Sequence, residues 1–376
     1  MNVEEQHIHL VRHGHHPEGF RGGWSHHSLS DLGRTQSILL AERLLREGTK
    51  VDTLISSDLP QARETADILA RALGVSVSSA EEWREVNNGL LAGMPEDQAR
   101  TLYPGLYWSS LEMNQPYPGG ESPAAFRSRI EAAFVSLCSR IGEGNAGPSV
   151  MVVTHGGPIR AVLSIVNGTE WSNKGPQPPV RETGISSMVS TGGMWHVSRQ
   201  DDVQHLAGLE VCQLSTGVGS TEVTIRPLIV QDIEKFTAWR GGDDYKDDIV
   251  RKEIQEHLTG KRVLLVAETG GQLVGTVQFV PTHEDPDLAD GKTTAYLQAL
   301  EVREDCRRQG LGTRLTGTVE RIGIEQGFRR LTLMVEPDNT PAISFYRRLG
   351  FKAFKDSSEL WRGKPLALIC MSKALA

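Results

Sequence analysis

Apolar and polar positions alternate over His7-Ile8-His9-Leu10-Val11, the period of a strand with one buried face. From residue 29 to 46 the spacing becomes helical, entered through a Ser30-Asp31 cap, so a helix follows the strand. Residues 51–56 and 149–154 read as further strands, each ending in polar residues before a helical segment. This recurrence predicts a layered α/β sheet, in which sites form at the carboxyl ends of strands. Later in the chain, residues 295–302 and 331–335 read as strands, with a helix between them running through 315–324.

The 376 residues are about twice the common size of one domain, which predicts two cores. A formal charge of −7 excludes a nucleic-acid coat or a polybasic membrane binder, so no nucleic-acid or membrane partner is expected. Mean hydropathy is −0.31, and no uninterrupted apolar run approaches the ~20 residues that span a bilayer. The start of the chain carries Glu4 and Glu5 and lacks the pattern of a secretory signal. Cys138, Cys212, Cys306 and Cys370 fall in no CxxC spacing, so a reducing cytoplasm is the expected location.

Charge and histidine divide the chain. Residues 1–206 hold 17 basic and 23 acidic residues and ten of the twelve histidines, against 23 and 24 in residues 207–376. Two fused domains are therefore expected, 1–206 and 222–376. The small, polar stretch 207–221 is the expected connector.

Two strand ends each deliver a histidine, in Val11-Arg12-His13-Gly14 and in Val153-Thr154-His155-Gly156-Gly157. With these motifs come Ser28-Leu29-Ser30-Asp31-Leu32-Gly33-Arg34, Ser56-Ser57-Asp58-Leu59, Glu85 after Arg84, and a tail at Asp202 to Leu206. In that order they resemble the histidine phosphatase superfamily, with its phosphoglycerate mutase-like three-layer α/β/α fold. The resemblance implies phosphoryl transfer from a phosphomonoester through a phosphohistidine. His13 is the implied nucleophile, Arg12, His155 and Gly156 hold phosphate oxygens, and Glu85 is the proton donor. The residue types suit this chemistry: a neutral imidazole is nucleophilic near pH 7, and cationic neighbours offset charge on the transferring group. A phosphatase and a mutase are equally compatible with these residues.

One position departs from the family. In Leu59-Pro60-Gln61-Ala62-Arg63, Gln61 stands where a second phosphate-clamping arginine belongs. Losing a charge-assisted contact of ~1.5–3 kcal/mol slows transfer by roughly 10–100-fold. Arg63 and Arg21 are the candidates to replace that charge. The loop His15-His16-Pro17 also departs from the family pattern. Its histidines, with His26 and His27, lack the spacing of a metal motif, so no metal is expected.

In the second half, Arg307-Arg308-Gln309-Gly310-Leu311-Gly312-Thr313 follows the strand 295–302 and opens a helix, an arrangement that cradles phosphate on backbone N–H groups. The strand 331–335 then leads into Asn339-Thr340-Pro341-Ala342-Ile343-Ser344-Phe345-Tyr346 and Gly350-Phe351. Together these look like the GNAT N-acetyltransferases, a mixed-sheet α/β fold. Residues 224–227 fit as its first strand, 232–239 as a helix and 263–280 as a hairpin turning at Gly270-Gly271. The implied cofactor is acetyl-CoA, with its pyrophosphate on residues 307–313 and its arm along Leu300 to Val302. Asn339 is an implied cofactor contact, and Tyr346 the implied proton donor to the departing thiolate. Tyr296, Glu301, His283 and Glu284 are all open as the acceptor's base. The acidic run at 243–248 is expected as a solvated loop, with an acidic rim of the acceptor site that favours a cationic amine as the alternative.

A fused enzyme is thus expected, acting on a phosphomonoester and on a small-molecule amine acceptor, with one phosphorylated metabolite serving both sites. Two alternatives stand beside it: an acetyltransferase whose first domain only binds phosphate, and a protein acetyltransferase with a docking domain. A homodimer is an expectation from GNAT habit alone.

Overall fold

The computed structural model describes residues 5–216 and 219–375. Glu4, and residues 217 and 218 of the expected connector, lie outside the described residues. The chain forms two compact units, Met1–His205 and Leu206–Ala376.

In the first unit the elements run β1 (Gln6–Arg12), α1 (Asp31–Arg46), β2 (Thr53–Ser56), α2 (Pro60–Leu73), β3 (Val77–Ser79), α3 (Glu96–Leu102), α4 (Pro123–Gly142), β4 (Ser149–Thr154), α5 (Gly156–Val166), β5 (Ile185–Thr191) and β6 (Met194–Asp202). They build one sheet of order β3-β2-β4-β1-β5-β6. The first four strands in that order are parallel, and β5 and β6 add on antiparallel.

Side-chain alternation explains the layers. Ile8, Leu10, Val150 and Val152 face the core under α4 and α5, with Phe126, Ile130 and Ile159. Val11, Leu54, Met151 and Val153 face the opposite core under α1 and α2, with Leu40, Ala66 and Leu69. Both faces of β4 are therefore buried, as the uninterrupted apolar run in Ser149–Thr154 requires. The expected Ser30 cap is present, its side chain accepting from the Gly33 N–H at 3.2 Å.

The second unit runs β7 (Glu210–Thr216), β8 (Gly219–Pro227), α6 (Ile233–Arg240), α7 (Asp244–Leu258), β9 (Val263–Thr269), β10 (Gln272–Val280), β11 (Thr294–Val302), α8 (Leu311–Glu325), β12 (Arg330–Val335), α9 (Thr340–Arg348), β13 (Lys352–Trp361) and β14 (Lys364–Ala374). They form an eight-stranded mixed sheet, in which only β11 and β12 are parallel neighbours. Leu315, Val319 and Ile322 of α8 pack on Val277, Phe279, Ala295 and Leu297 of the sheet.

Two expectations fail here. The connector at 207–221 is instead largely strand: β7 pairs antiparallel with β8, placing Cys212 opposite Val223 in the core of the second unit. Its small polar residues hid a β-ribbon in which Cys212 is buried while Val211 stays exposed. The acidic run at 243–248 is not a loop. Asp243 caps α7, its carboxylate accepting from the Lys246 N–H at 3.1 Å, and Asp244 and Asp247 occupy the first turn, where the helix dipole favours negative charge.

Among the described residues, no helix is long and apolar enough to cross a membrane. Within the first unit, α1 is tied to the end of β6 by Arg43, whose buried guanidinium donates to both Asp202 oxygens at 2.9 and 2.7 Å. Arg43 also donates to Glu47 at 2.6 Å, whereas without Arg43 Asp202 keeps only the Gln204 N–H at 3.0 Å and Arg199 at 3.4 Å. Arg43→Met is therefore expected to lower unfolding stability by about 2–3 kcal/mol, and adding Asp202→Asn to cost much less than a second such loss. A denaturant double-mutant cycle measures this, and simple additivity would show that the pair is not coupled.

Candidate functional site

The parallel register of β1 against β4 pairs Arg12 with Thr154. The next residue on each strand is a histidine, so His13 and His155 emerge side by side, ring centroids 4.9 Å apart. Both are almost fully buried. His13 Nδ1–H donates to the Gly14 carbonyl at 2.8 Å, which fixes the tautomer and leaves the Nε2 lone pair free. His155 Nε2 lies 2.9 Å from the Ser57 hydroxyl. Burial, then the adjacent His155 and Arg12, hold His13 well below the ordinary histidine value. Burial and Arg12 push His155 down to about 3. Both imidazoles are therefore neutral at physiological pH.

They open onto a cleft of 260 Å³, lined also by Arg12, His16, Gln61, Glu85 and Arg160. Arg12 is held by Nη1 donation to the Val180 carbonyl at 2.6 Å and by Glu182 at 3.3 Å, while its buried Nε has no partner. Glu85 is placed through its backbone: its carbonyl accepts from the Trp24 indole at 2.7 Å and from Arg129 at 3.1 Å. Its carboxylate accepts from the Gly157 N–H at 3.0 Å. A Cβ on Gly157 would lie 2.1 Å from that carboxylate, so the close approach requires glycine.

In the second unit, β11 pairs with β12 only over Thr294 to Tyr296, although both strands continue. Beyond Tyr296 they diverge, while β11 stays paired to β10 as far as Val302 opposite Gly275. A bulge at Ala299, with φ of 54°, bends the strand inside this stretch. One backbone edge of Leu300 to Val302 thus faces the gap. The loop that follows turns through left-handed residues Arg308 (φ 60°) and Gly310 (φ 86°) into α8. Gly310 offers no side-chain cap, so the N–H groups of Leu311, Gly312 and Thr313 point out of the helix unused by a cap. Arg307 braces the loop by donating to the Val302 carbonyl at 2.9 Å, and Gln309 by donating to the Asp305 carbonyl at 3.0 Å. Asn339 caps α9, accepting from the Ala342 N–H at 3.2 Å. Tyr346 is buried against Phe345 and Phe351, and burial raises its hydroxyl to about 12, so it is a protonated phenol at neutral pH.

Comparison with known proteins settles the families. Residues 8–203 match the Histidine phosphatase superfamily (branch 1), and residues 230–351 match the Acetyltransferase (GNAT) family. The chain belongs to the histidine phosphatase superfamily. It also carries a GNAT acetyltransferase domain, and both families are enzymes. Phosphoglycerate mutase-like protein 4 of Arabidopsis thaliana is 31% identical over 230 residues, 58% of this chain and 94% of that protein. Phosphoserine phosphatase 1 of Hydrogenobacter thermophilus is 29% identical over 168 residues, 43% of this chain and 77% of that one. The solved structure of Bacillus stearothermophilus YhfR is 25% identical, covers 53% of this chain and 98% of its own, and has a TM-score of 0.48.

In this histidine phosphatase domain the cleft brings together Arg12, His13, Gln61, Glu85, His155 and Gly156. It does not bring in the two arginines expected to replace the missing charge. Arg63 turns outward, donating to Asp67 at 3.0 Å and to Ser79 at 2.7 Å, because its place on α2 is two residues round from Gln61. Arg21 pairs with Glu96 at 2.9 Å and stacks 4.3 Å from the Tyr107 ring, outside the cleft lining. Arg160 is the cation that sequence reading missed. Its signal was its place on α5, four residues after Gly156 and so on the same helix face. In the GNAT domain, Glu301 is bound to Arg240, which occupies it as a candidate base. Tyr296 is buried and its hydroxyl raised by that burial, 5.2 Å in ring separation from His283.

Buried neutral histidines make this domain acid-sensitive. His205, beside Thr183 at 2.8 Å, is likewise pushed down by burial to about 3. For a lowered imidazole, the unfolded chain binds the proton near 6.5, so the stability is present above that pH and lost as pH falls. His155 and His205 should each remove about 2 kcal/mol between pH 7 and pH 5, and His13 acts in the same direction. Urea unfolding of the domain's transition at the two pH values checks this; an unshifted midpoint contradicts it.

Proposed function

We propose that the first domain hydrolyses phosphomonoesters through a phosphohistidine at His13 and that the second acetylates an amine from acetyl-CoA. The supporting observation is the tautomer lock: Nδ1–H bound to the Gly14 carbonyl leaves Nε2 as the lone pair that opens on the cleft. His13 Nε2 attacks phosphorus as the bond to the leaving oxygen breaks, and a proton from the Glu85 carboxyl goes to that oxygen. Water then attacks phosphorus as the N–P bond breaks, its proton passing to the Glu85 carboxylate, which frees His13 and inorganic phosphate. Arg12, His155 and the Gly156 N–H at the start of α5 hold the transferring oxygens.

For the second domain, the uncapped N–H groups of residues 311–313 and the left-handed turns at Arg308 and Gly310 suit a pyrophosphate, and the open edge of Leu300 to Val302 suits a pantetheine arm. Acetyl-CoA supplies an activated thioester. Around it, Asn339 shapes the start of α9, and Tyr346 holds a proton for a thiolate. A substrate shared by both domains, one small metabolite with a phosphate and an amine, belongs to this proposal.

A second reading, a first domain that binds phosphate without turning it over, is favoured by Gln61. The residue is buried at 2% exposure with its Oε1 unpartnered, where a cation would do more for a transferring phosphoryl group. Hydrolysis of an aryl phosphate separates the two. Wild type should turn over, His13→Ala should lose at least about 1000-fold, and Gln61→Arg should gain roughly 10–100-fold in kcat/KM. Turnover retained by His13→Ala would refute the phosphohistidine. Inert wild type revived by Gln61→Arg would establish the binding domain. For the second domain, Gly310→Val is expected to weaken acetyl-CoA binding about tenfold or more, since φ of 86° disfavours a β-branched residue. Calorimetric titration with acetyl-CoA reads this directly, and unchanged affinity would move the cofactor elsewhere.

A further inference from the structure

We infer that Arg160 is the second phosphate-clamping cation of the first domain, supplying from α5 the charge that Gln61 does not supply from α2. The inference rests on the proposal that this cleft takes a phosphoryl group.

The charge balance of the lining requires such a residue. Of the three imidazoles that line the cleft, those of His13 and His155 are neutral and burial lowers that of His16 too, Arg12 is partly offset by Glu182 at 3.3 Å, and Glu85 adds a carboxylate. A phosphoryl dianion entering this lining with Arg12 alone would meet no net positive charge. Among the described lining residues, Arg160 is the other permanent cation.

Geometry prepares it for the task. Helical side chains tilt toward the N-terminus, and Arg160 folds back over the first turn of α5. A Cβ on Gly156 would lie 3.2 Å from Arg160 Nη1, so the guanidinium rests against the helix start that follows His155. Its Nε donates to the Pro178 carbonyl at 2.9 Å, while Arg12 Nη1 donates to the Val180 carbonyl at 2.6 Å. One short segment, 178–180, thus anchors both guanidiniums, and each anchor leaves other N–H donors of the fork for a ligand. Gln61 lines the same cleft, its amide buried with Oε1 unpartnered, and its NH₂ end can donate to the same anion without adding charge.

The experiment measures inorganic phosphate binding to the full chain by calorimetry, alongside aryl phosphate hydrolysis, for wild type, Arg160→Gln, Arg160→Lys and the exchange variant Gln61→Arg/Arg160→Gln. Thermal midpoints of each variant are recorded. Arg160→Gln should weaken phosphate at least about tenfold, Arg160→Lys should weaken it less, and the exchange variant should recover most of the loss. Recovery by an arginine at 61 identifies a charge effect, since it cannot repair a lost contact to Pro178. Unchanged phosphate affinity in Arg160→Gln overturns the inference, as does a loss confined to KM for larger phosphomonoesters, which would place Arg160 on the leaving group. If wild type binds phosphate through Arg160 but hydrolyses nothing, the inference stands and the hydrolase reading falls.

Discussion

The hydrogen-bonded register between β1 and β4 is the constraint from which the two-histidine cleft follows. Arg12 opposite Thr154 is the last pair of that ladder, and His13 and His155 are the next residues on each strand. A slip of one residue would turn Ile8, Leu10, Val150 and Val152 from one core to the other, so the two cores fix the register. With the register fixed, two imidazoles come within 4.9 Å without any contact designed between them. The loop after β1 is then held to α2 by the Gly14 N–H, which donates to the Thr65 hydroxyl at 3.0 Å.

Burial does the electrostatic work in this cleft. Removing His13 and His155 from water keeps them uncharged, which leaves an imidazole lone pair free but adds no positive charge to the cleft. The fixed positive charge of the cleft lies on guanidiniums, each anchored by a backbone carbonyl, with Arg12 also facing Glu182 at 3.3 Å. Glu85 is treated differently. Its backbone is clamped by Trp24 and Arg129 and its carboxylate sits on the Gly157 N–H, so its position depends on a glycine as much as on the acid itself.

In the GNAT domain the open polar groups at the gap and before α8 belong to the backbone rather than to side chains. Divergence of β11 from β12 after Tyr296 leaves strand edge unpaired, and the left-handed turns before α8 converge N–H groups. Side chains enter mainly as braces, as with Arg307 and Gln309.

The strand and helix pattern, the paired strand-histidine-glycine motifs and the glycine-rich turn before α8 were all legible in the residues, because each depends on local periodicity or on backbone freedom. Gln61 was legible too, as a residue type out of place in an ordered motif. Local pattern could not say where Arg63, Arg21 and Arg160 point. Arg63 lies two positions from Gln61 in the chain yet turns away, and Arg160 lies 99 residues further along yet shares its cleft. Nor could it show that residues 210–216 pair with β8, since the strand there is defined by its partner more than by its own composition. The sequence alone determined which chemical groups are present and which elements carry them. Tertiary structure decided which charges meet, because helix rotation and long-range strand pairing set distances that no local spacing encodes.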